Sequence, residues 1–81
     1  MITVSVRFYE ELNDFLPRRR RKAPFEITLP QPSSVKDLAE SCGVPHTEID
    51  LILVNSKSTT FDRLVSDGDH VSIYPVFEAL D

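Results

Sequence analysis

Residues 2 to 9 alternate strictly, with Ile2, Val4, Val6 and Phe8 on one face and Thr3, Ser5, Arg7 and Tyr9 on the other. That period of two predicts a half-buried strand. Glu10 to Leu16 mixes polar residues with Leu12, Phe15 and Leu16, which predicts a turn or short helical segment folding those three back onto the core before Pro17. Phe25, Ile27 and Leu29 then alternate with Glu26 and Thr28, so a second strand pairs with the first through a long exposed connection. Pro30 and Pro32 end it.

Ser34 and Asp37 form a capping-box-like helix start, and Val35, Leu38, Ala39 and Cys42 fall at i, i+3, i+4 and i+7, one apolar stripe on a surface helix. Gly43 is placed to stop that helix, with Pro45 just beyond. Leu51-Ile52-Leu53-Val54 is an all-apolar run closed by Asn55-Ser56-Lys57, which predicts a strand and a tight turn. A short strand is expected near Thr59 to Phe61. After the Asp67-Gly68-Asp69 turn, in which Gly68 can take positive φ, a last strand has Val71 and Ile73 on one face and Ser72 and Tyr74 on the other. The order is hairpin, helix, strand, short strand, strand, with one helix stripe to cover one face of a mixed sheet. This is an α+β plan of the β-grasp type, with four to five strands and one main helix.

At 81 residues the chain has room for one domain, residues 1–81, with most apolar residues committed to its core. The composition, 41 % apolar and 27 % charged, is that of a soluble globular protein. No apolar run approaches the ~20 residues of a membrane span. The start, Met1-Ile2-Thr3-Val4-Ser5-Val6, lacks the pattern of a signal peptide, so a cytoplasmic location is expected. Net charge is −4, yet Arg18, Arg19, Arg20, Arg21 and Lys22 supply five of nine basic residues, which leaves −4 − 5 = −9 on the rest of the chain. An acidic body with one basic loop is unlike a dedicated nucleic-acid binder, whose basic surface is broad.

The start Ile2 to Leu12 and the stretch Leu64-Val65-Ser66-Asp67-Gly68-Asp69-His70-Val71-Ser72-Ile73-Tyr74-Pro75 resemble ubiquitin-like sulfur carriers, the molybdopterin synthase small subunits and thiamine-pathway carriers. Val44 to Asn55 and Tyr74-Pro75-Val76-Phe77-Glu78 resemble, more closely, the ubiquitin-like domain fused ahead of the Mut-seven carboxy-terminal RNase domain, a PIN-like nuclease. Ser56 departs from that family, which usually has glycine after the asparagine, and implies a turn that tolerates a side chain. The resemblance implies an accessory role in RNA processing beside a PIN-like RNase in cis or trans, the nuclease acids lying in the other domain. It also makes residues 1–81 a candidate front module of a longer protein. The rival reading is a carrier-like protein that lacks, or must be processed to, a Gly-Gly end. The sequence reads Glu78-Ala79-Leu80-Asp81 there, and a bulky side chain and added charge would meet the narrow channel in which carrier termini are adenylated.

No catalytic machinery, cofactor site or small-molecule substrate is expected. Cys42 completes the helix stripe and reads as a core thiol; with His46 and His70 it makes no metal set, and neither histidine has the partners of a triad. Turn chemistry accounts for Asp67 and Asp69, since the other ligands of a calcium loop are missing. The basic loop, Arg18 to Lys22, is a candidate for weak, sequence-blind RNA contact or for docking on an acidic protein, against the plainer reading of a solvated loop. The main candidate is the sheet face away from the helix. If Leu51 and Leu53 point toward the helix, Ile52 and Val54 point outward beside Tyr9 and Tyr74. The resemblance places ubiquitin's protein-docking surface there, with Ile52 at its centre. Val76 and Phe77 extend past the last strand and are expected to pack on a partner.

Overall fold

The computed structural model describes residues 1–76. Five strands form one mixed sheet: β1 (Ile2–Phe8), β2 (Phe25–Leu29), β3 (Ile49–Val54), β4 (Lys57–Thr59) and β5 (His70–Pro75). Their order across the sheet is β2-β1-β5-β3-β4. The central pair, β1 and β5, is parallel, and every other pair is antiparallel. Helix α1 (Val35–Ser41) follows β2, giving the β-grasp arrangement that the pattern predicts.

The ends of α1 form as its sequence dictates. The Ser34 hydroxyl accepts a hydrogen bond from the Asp37 N–H at 3.1 Å, satisfying one orphan donor of the first turn. At the other end Gly43 takes φ +91°. Its N–H donates to the Glu40 carbonyl and the Val44 N–H to the Ala39 carbonyl, at 3.0 and 3.1 Å, the two bonds of a Schellman stop. Between these caps Val35, Leu38, Ala39 and Cys42 are buried against Val4, Val6, Phe8, Val71 and Ile73 from the two central strands. Each Val, Leu, Ile or Phe side chain among them contributes roughly 1.5–3 kcal/mol by its removal from water. Cys42 is thus a core thiol, and burial raises its pKa.

The phase of β3 is the reverse of the expected one. Ile52 and Val54 are each 3 % exposed and lie in the core, while Leu51 is 39 % exposed. Ile52 pairs with Ile73, and Val54 with Val71, both inward residues of β5; partners directly opposite one another share a face. Leu51 and Leu53 lie opposite Tyr74 and Ser72, and therefore on the outer face. A register irregularity between Ile49 and Leu51 lets Ile49, which an unbroken strand would place with Leu51, turn inward and be buried as well.

Two local expectations also change. Glu10–Phe15 is a 3-10 helix that buries Leu12 and Leu16 but leaves Phe15 44 % exposed. The second short strand sits at Lys57–Thr59, slightly earlier than predicted. Asn55 and Ser56, with φ of 52° and 71°, make a two-residue turn of the I′ kind that brings β4 back at once. The Asp67-Gly68-Asp69 turn ties this end of the sheet together. Asp67 Oδ1 accepts from the Thr3 N–H, and the Asp69 carboxylate accepts from the Ser66 N–H and the Asn55 side-chain amide. Burial pushes the Asp69 carboxyl up, but these bonds and the nearby Arg63 outweigh it and hold its pKa below the usual aspartate value.

Candidate functional site

On the face away from α1, strand alternation puts Arg7 and Tyr9 beside Tyr74 of β5 and Leu51 and Leu53 of β3. The Tyr9 N–H extends the ladder past the end of β1 by donating to the Ile73 carbonyl at 3.0 Å, which brings Tyr9 level with Tyr74. Their rings stack with centroids 4.2 Å apart and planes 13° from parallel. The adjacent Tyr9 hydroxyl pushes the Tyr74 phenol pKa up. The Arg7 guanidinium lies over the Tyr9 ring, 4.6 Å from its centroid, a cation–π contact.

Of the residues expected on this face, Tyr9 and Tyr74 are there and Ile52 and Val54 are not. The outward apolar positions of β3 belong to Leu51 and Leu53. Val76 is 45 % exposed just past β5, with its N–H donating to the Glu48 carbonyl; Phe77 lies outside the described residues. Arg7 was already legible as an outward residue from the β1 alternation. The phase of β3 was legible only by pairing Ile52 with Ile73, because four consecutive apolar residues contain no alternation of their own.

The basic segment is more ordered than an exposed connection need be. Arg18–Arg20 forms a 3-10 turn, Arg21 Nε donates to the Leu16 carbonyl at 2.8 Å, and the Arg20 guanidinium lies 4.9 Å from the centroid of Phe25. The Lys22 N–H donates to Asn13 Oδ1 at 2.8 Å. Arg18 and Arg19 stay exposed, and among the described residues none of the five cations forms an ion pair. The loop and the aromatic stack thus meet beside the Glu10–Phe15 helix.

The histidines do not join this region. His46 Nδ1 lies 2.6 Å from Glu40 Oε2, and the His46 ring meets Phe61 edge-on; this hydrogen bond lowers the Glu40 pKa. His70 is exposed at the start of β5. Among the described residues, no group of three or more His, Cys, Asp or Glu side chains is placed to hold a metal ion, and no helix is long and apolar enough to cross a membrane.

A five-stranded mixed sheet with parallel central strands and one helix across a single face defines a ubiquitin-like domain, and its distinctive surface is the opposite, aromatic face. The model of the Mut7-C ubiquitin family matches residues 1–81, and the chain belongs to that family. Among solved structures it is similar to a putative molybdopterin converting factor subunit 1 from Pyrococcus furiosus. That match has a TM-score of 0.69 and 22 % identity, over 93 % of this chain and 98 % of that one. It is similar also to SAMP1 from Haloferax volcanii, with a TM-score of 0.65 and 13 % identity over 95 % of this chain and 98 % of that one. At these identities the likeness establishes the shared fold. No curated protein sequence matches the chain.

Proposed function

We propose that this is a non-catalytic accessory domain that docks on a PIN-like RNase domain, in cis or in trans, and serves RNA processing. The observation that carries this is the outward face itself. The Tyr9–Tyr74 stack is flanked by Leu51 and Leu53 on a sheet that the helix covers only on its other side. A contiguous patch of large apolar side chains on so small a domain has the character of a contact surface, and paired tyrosines supply area at low entropic cost. Membership in the Mut7-C ubiquitin family favours a nuclease as the partner.

Titration calorimetry with a Mut7-C RNase domain supplied in trans tests this reading. Binding is expected, with at least a tenfold loss on Leu51→Asp, since a carboxylate buried in the interface without a partner costs well over 1.4 kcal/mol. The same substitution should leave the fold intact, because Leu51 is outside the core. An RNase domain that gives no heat with the wild type, or binds Leu51→Asp equally well, would sink the docking reading.

A sulfur-carrier-like role has the fold neighbours in its favour, one of them bearing the name of a molybdopterin converting factor subunit. The 81 residues hold two glycines, Gly43 and Gly68, and no Gly-Gly pair. Incubation with an activating enzyme and ATP, followed by mass spectrometry, separates the readings: an adenylate or thiocarboxylate mass supports the carrier, and an unchanged mass the accessory domain.

A further inference from the structure

We infer that the hollow between the end of β1 and the basic loop is a phosphodiester-binding site, and that its ligand is a strand of single-stranded nucleic acid. Arg7, Tyr9, Glu10, Asn13 and Lys22 line it, around a volume of about 400 Å³. This goes beyond the docking reading, because it shares Tyr9 with that patch but uses neither Leu51 nor Leu53, and it stands or falls without a nuclease partner.

Arg7 is the first reason. Tyr74 stacks on Tyr9 at 4.2 Å and the Arg7 guanidinium lies over the same ring at 4.6 Å. Tyr9 thus contacts both, and the cation–π contact restrains Arg7 beside the stack. Its Nε is shielded from solvent and has no hydrogen-bond partner, and among the described residues no carboxylate forms an ion pair with it. A restrained guanidinium whose charge no carboxylate offsets is fitted to an oxyanion that reaches its outer nitrogens.

The backbone is the second. Among the described residues four non-glycine ones have positive φ: Glu10, Lys22, Asn55 and Ser56. The hairpin turn requires the last two; the first two are both walls of this hollow, at φ of 51° and 62°. One buried side chain holds them, Asn13 donating from Nδ2 to the Glu10 carbonyl at 2.9 Å and accepting at Oδ1 from the Lys22 N–H at 2.8 Å. Left-handed backbone is unfavourable for residues with a side chain and gathers where a site needs it. Here it brings Lys22 to the hollow that Arg7 lines.

Charge selects the ligand. Arg7 and Lys22 against Glu10 leave one surplus positive charge, which matches a monoanionic phosphodiester. A lone carboxylate would match it too, but Lys22 ends the run Arg18–Lys22, in which Arg18 and Arg19 are exposed and unpaired among the described residues. A strand seated at Arg7 and Lys22 carries its next phosphates onto those cations, which a single carboxylate leaves unused.

Fluorescence anisotropy of labelled oligouridylate and oligothymidylate with the 81-residue chain, at rising salt, tests the proposal. Binding is expected, with a log–log salt slope of about −0.7 for each phosphate engaged. Arg7→Gln and Lys22→Gln should each weaken it about tenfold at low salt and reduce the slope by about 0.7. Lys22→Gln lies on the exposed loop and keeps the test valid if Arg7→Gln disturbs the stack, which an amide spectrum reports. Equal binding of the two strands supports a phosphodiester site of either source, and a preference for one strand names the source. Three results overturn the proposal. One is no binding by the wild type. Another is wild-type affinity in both variants with loss on neutralising Arg18 and Arg19, which leaves the loop acting alone. The third is inorganic phosphate giving the same Arg7-dependent shifts with oligonucleotides binding no more tightly, which reduces the site to one for a free anion.

Discussion

Leu51 and Ile52 are neighbours of nearly equal hydrophobicity on one strand, yet one is 39 % exposed and the other 3 %. Leu53 and Val54 repeat the contrast two residues on. Nothing in the four side chains distinguishes the pairs; their places are set by what each meets across the sheet. Ile52 and Val54 meet Ile73 and Val71 under α1, whereas Leu51 and Leu53 meet Tyr74 and Ser72 on the open side. The same kind of residue thus serves cohesion on one face and stands outside the core on the other, and a slip of one residue would exchange the positions.

Truncating the two faces should therefore differ sharply in its cost to stability. Ile52→Ala is expected to cost about 2–5 kcal/mol, the transfer loss plus the cavity left among Ile73 and the helix residues. Leu51→Ala should cost less than about 1 kcal/mol, as surface changes do. Urea unfolding of both variants checks this through the midpoint shift at constant slope. Equal losses would mean that β3 is not phased as described.

What holds the phase is the junction between β3 and β5. Asn55 donates its backbone N–H to the His70 carbonyl, accepts the His70 N–H at Oδ1, and gives its amide hydrogen to Asp69. Asp69 in turn fixes the Ser66 N–H. Asp69→Ala should remove about 1 kcal/mol by leaving these part-buried donors without their acceptor. The pH dependence has a definite sign. The folded pKa of Asp69 is depressed, so its contribution is complete above the unfolded value near 3.9 and is lost as pH falls through the lower folded value. The wild type should thus lose its advantage over Asp69→Asn in strongly acidic solution and show it fully at neutral pH, as thermal unfolding across that range would reveal.

Much of this was readable from residues alone, and the exceptions share a cause. The β1 alternation, the Ser34 cap, the α1 stripe and the Gly43 stop are local patterns, and each lies where its pattern puts it. The outward facing of Tyr9 and Tyr74 follows from the same alternation. The phase of β3, the exposure of Phe15 and the ordering of the basic loop are not local. Ile52 faces inward because Ile73 does, and Lys22 is placed by the amide of Asn13, nine positions earlier in the chain. A run without alternation and a loop without hydrophobic spacing leave such choices to partners remote in sequence.

The turn after β3 gives the finest test of the contrast. Asn55 and Ser56 both need left-handed backbone to reverse the chain in two residues, and only Asn55 is of a type that enters that region readily. Ser56, at φ 71°, keeps a Cβ where glycine would have none. Ser56→Gly relieves that strain and, although glycine loses more freedom on folding, is expected to stabilise the protein by about 0.5–1 kcal/mol. Because Leu53 pairs with Ser58 and Val54 with Lys57 through this turn, the substitution should strengthen the hairpin without moving either face. Unchanged amide shifts at Leu51, Ile52 and Tyr74 beside a raised Tm would show that the strain is confined to the turn. A fall in Tm would show that the Ser56 side chain or its restricted backbone contributes more than its conformation costs.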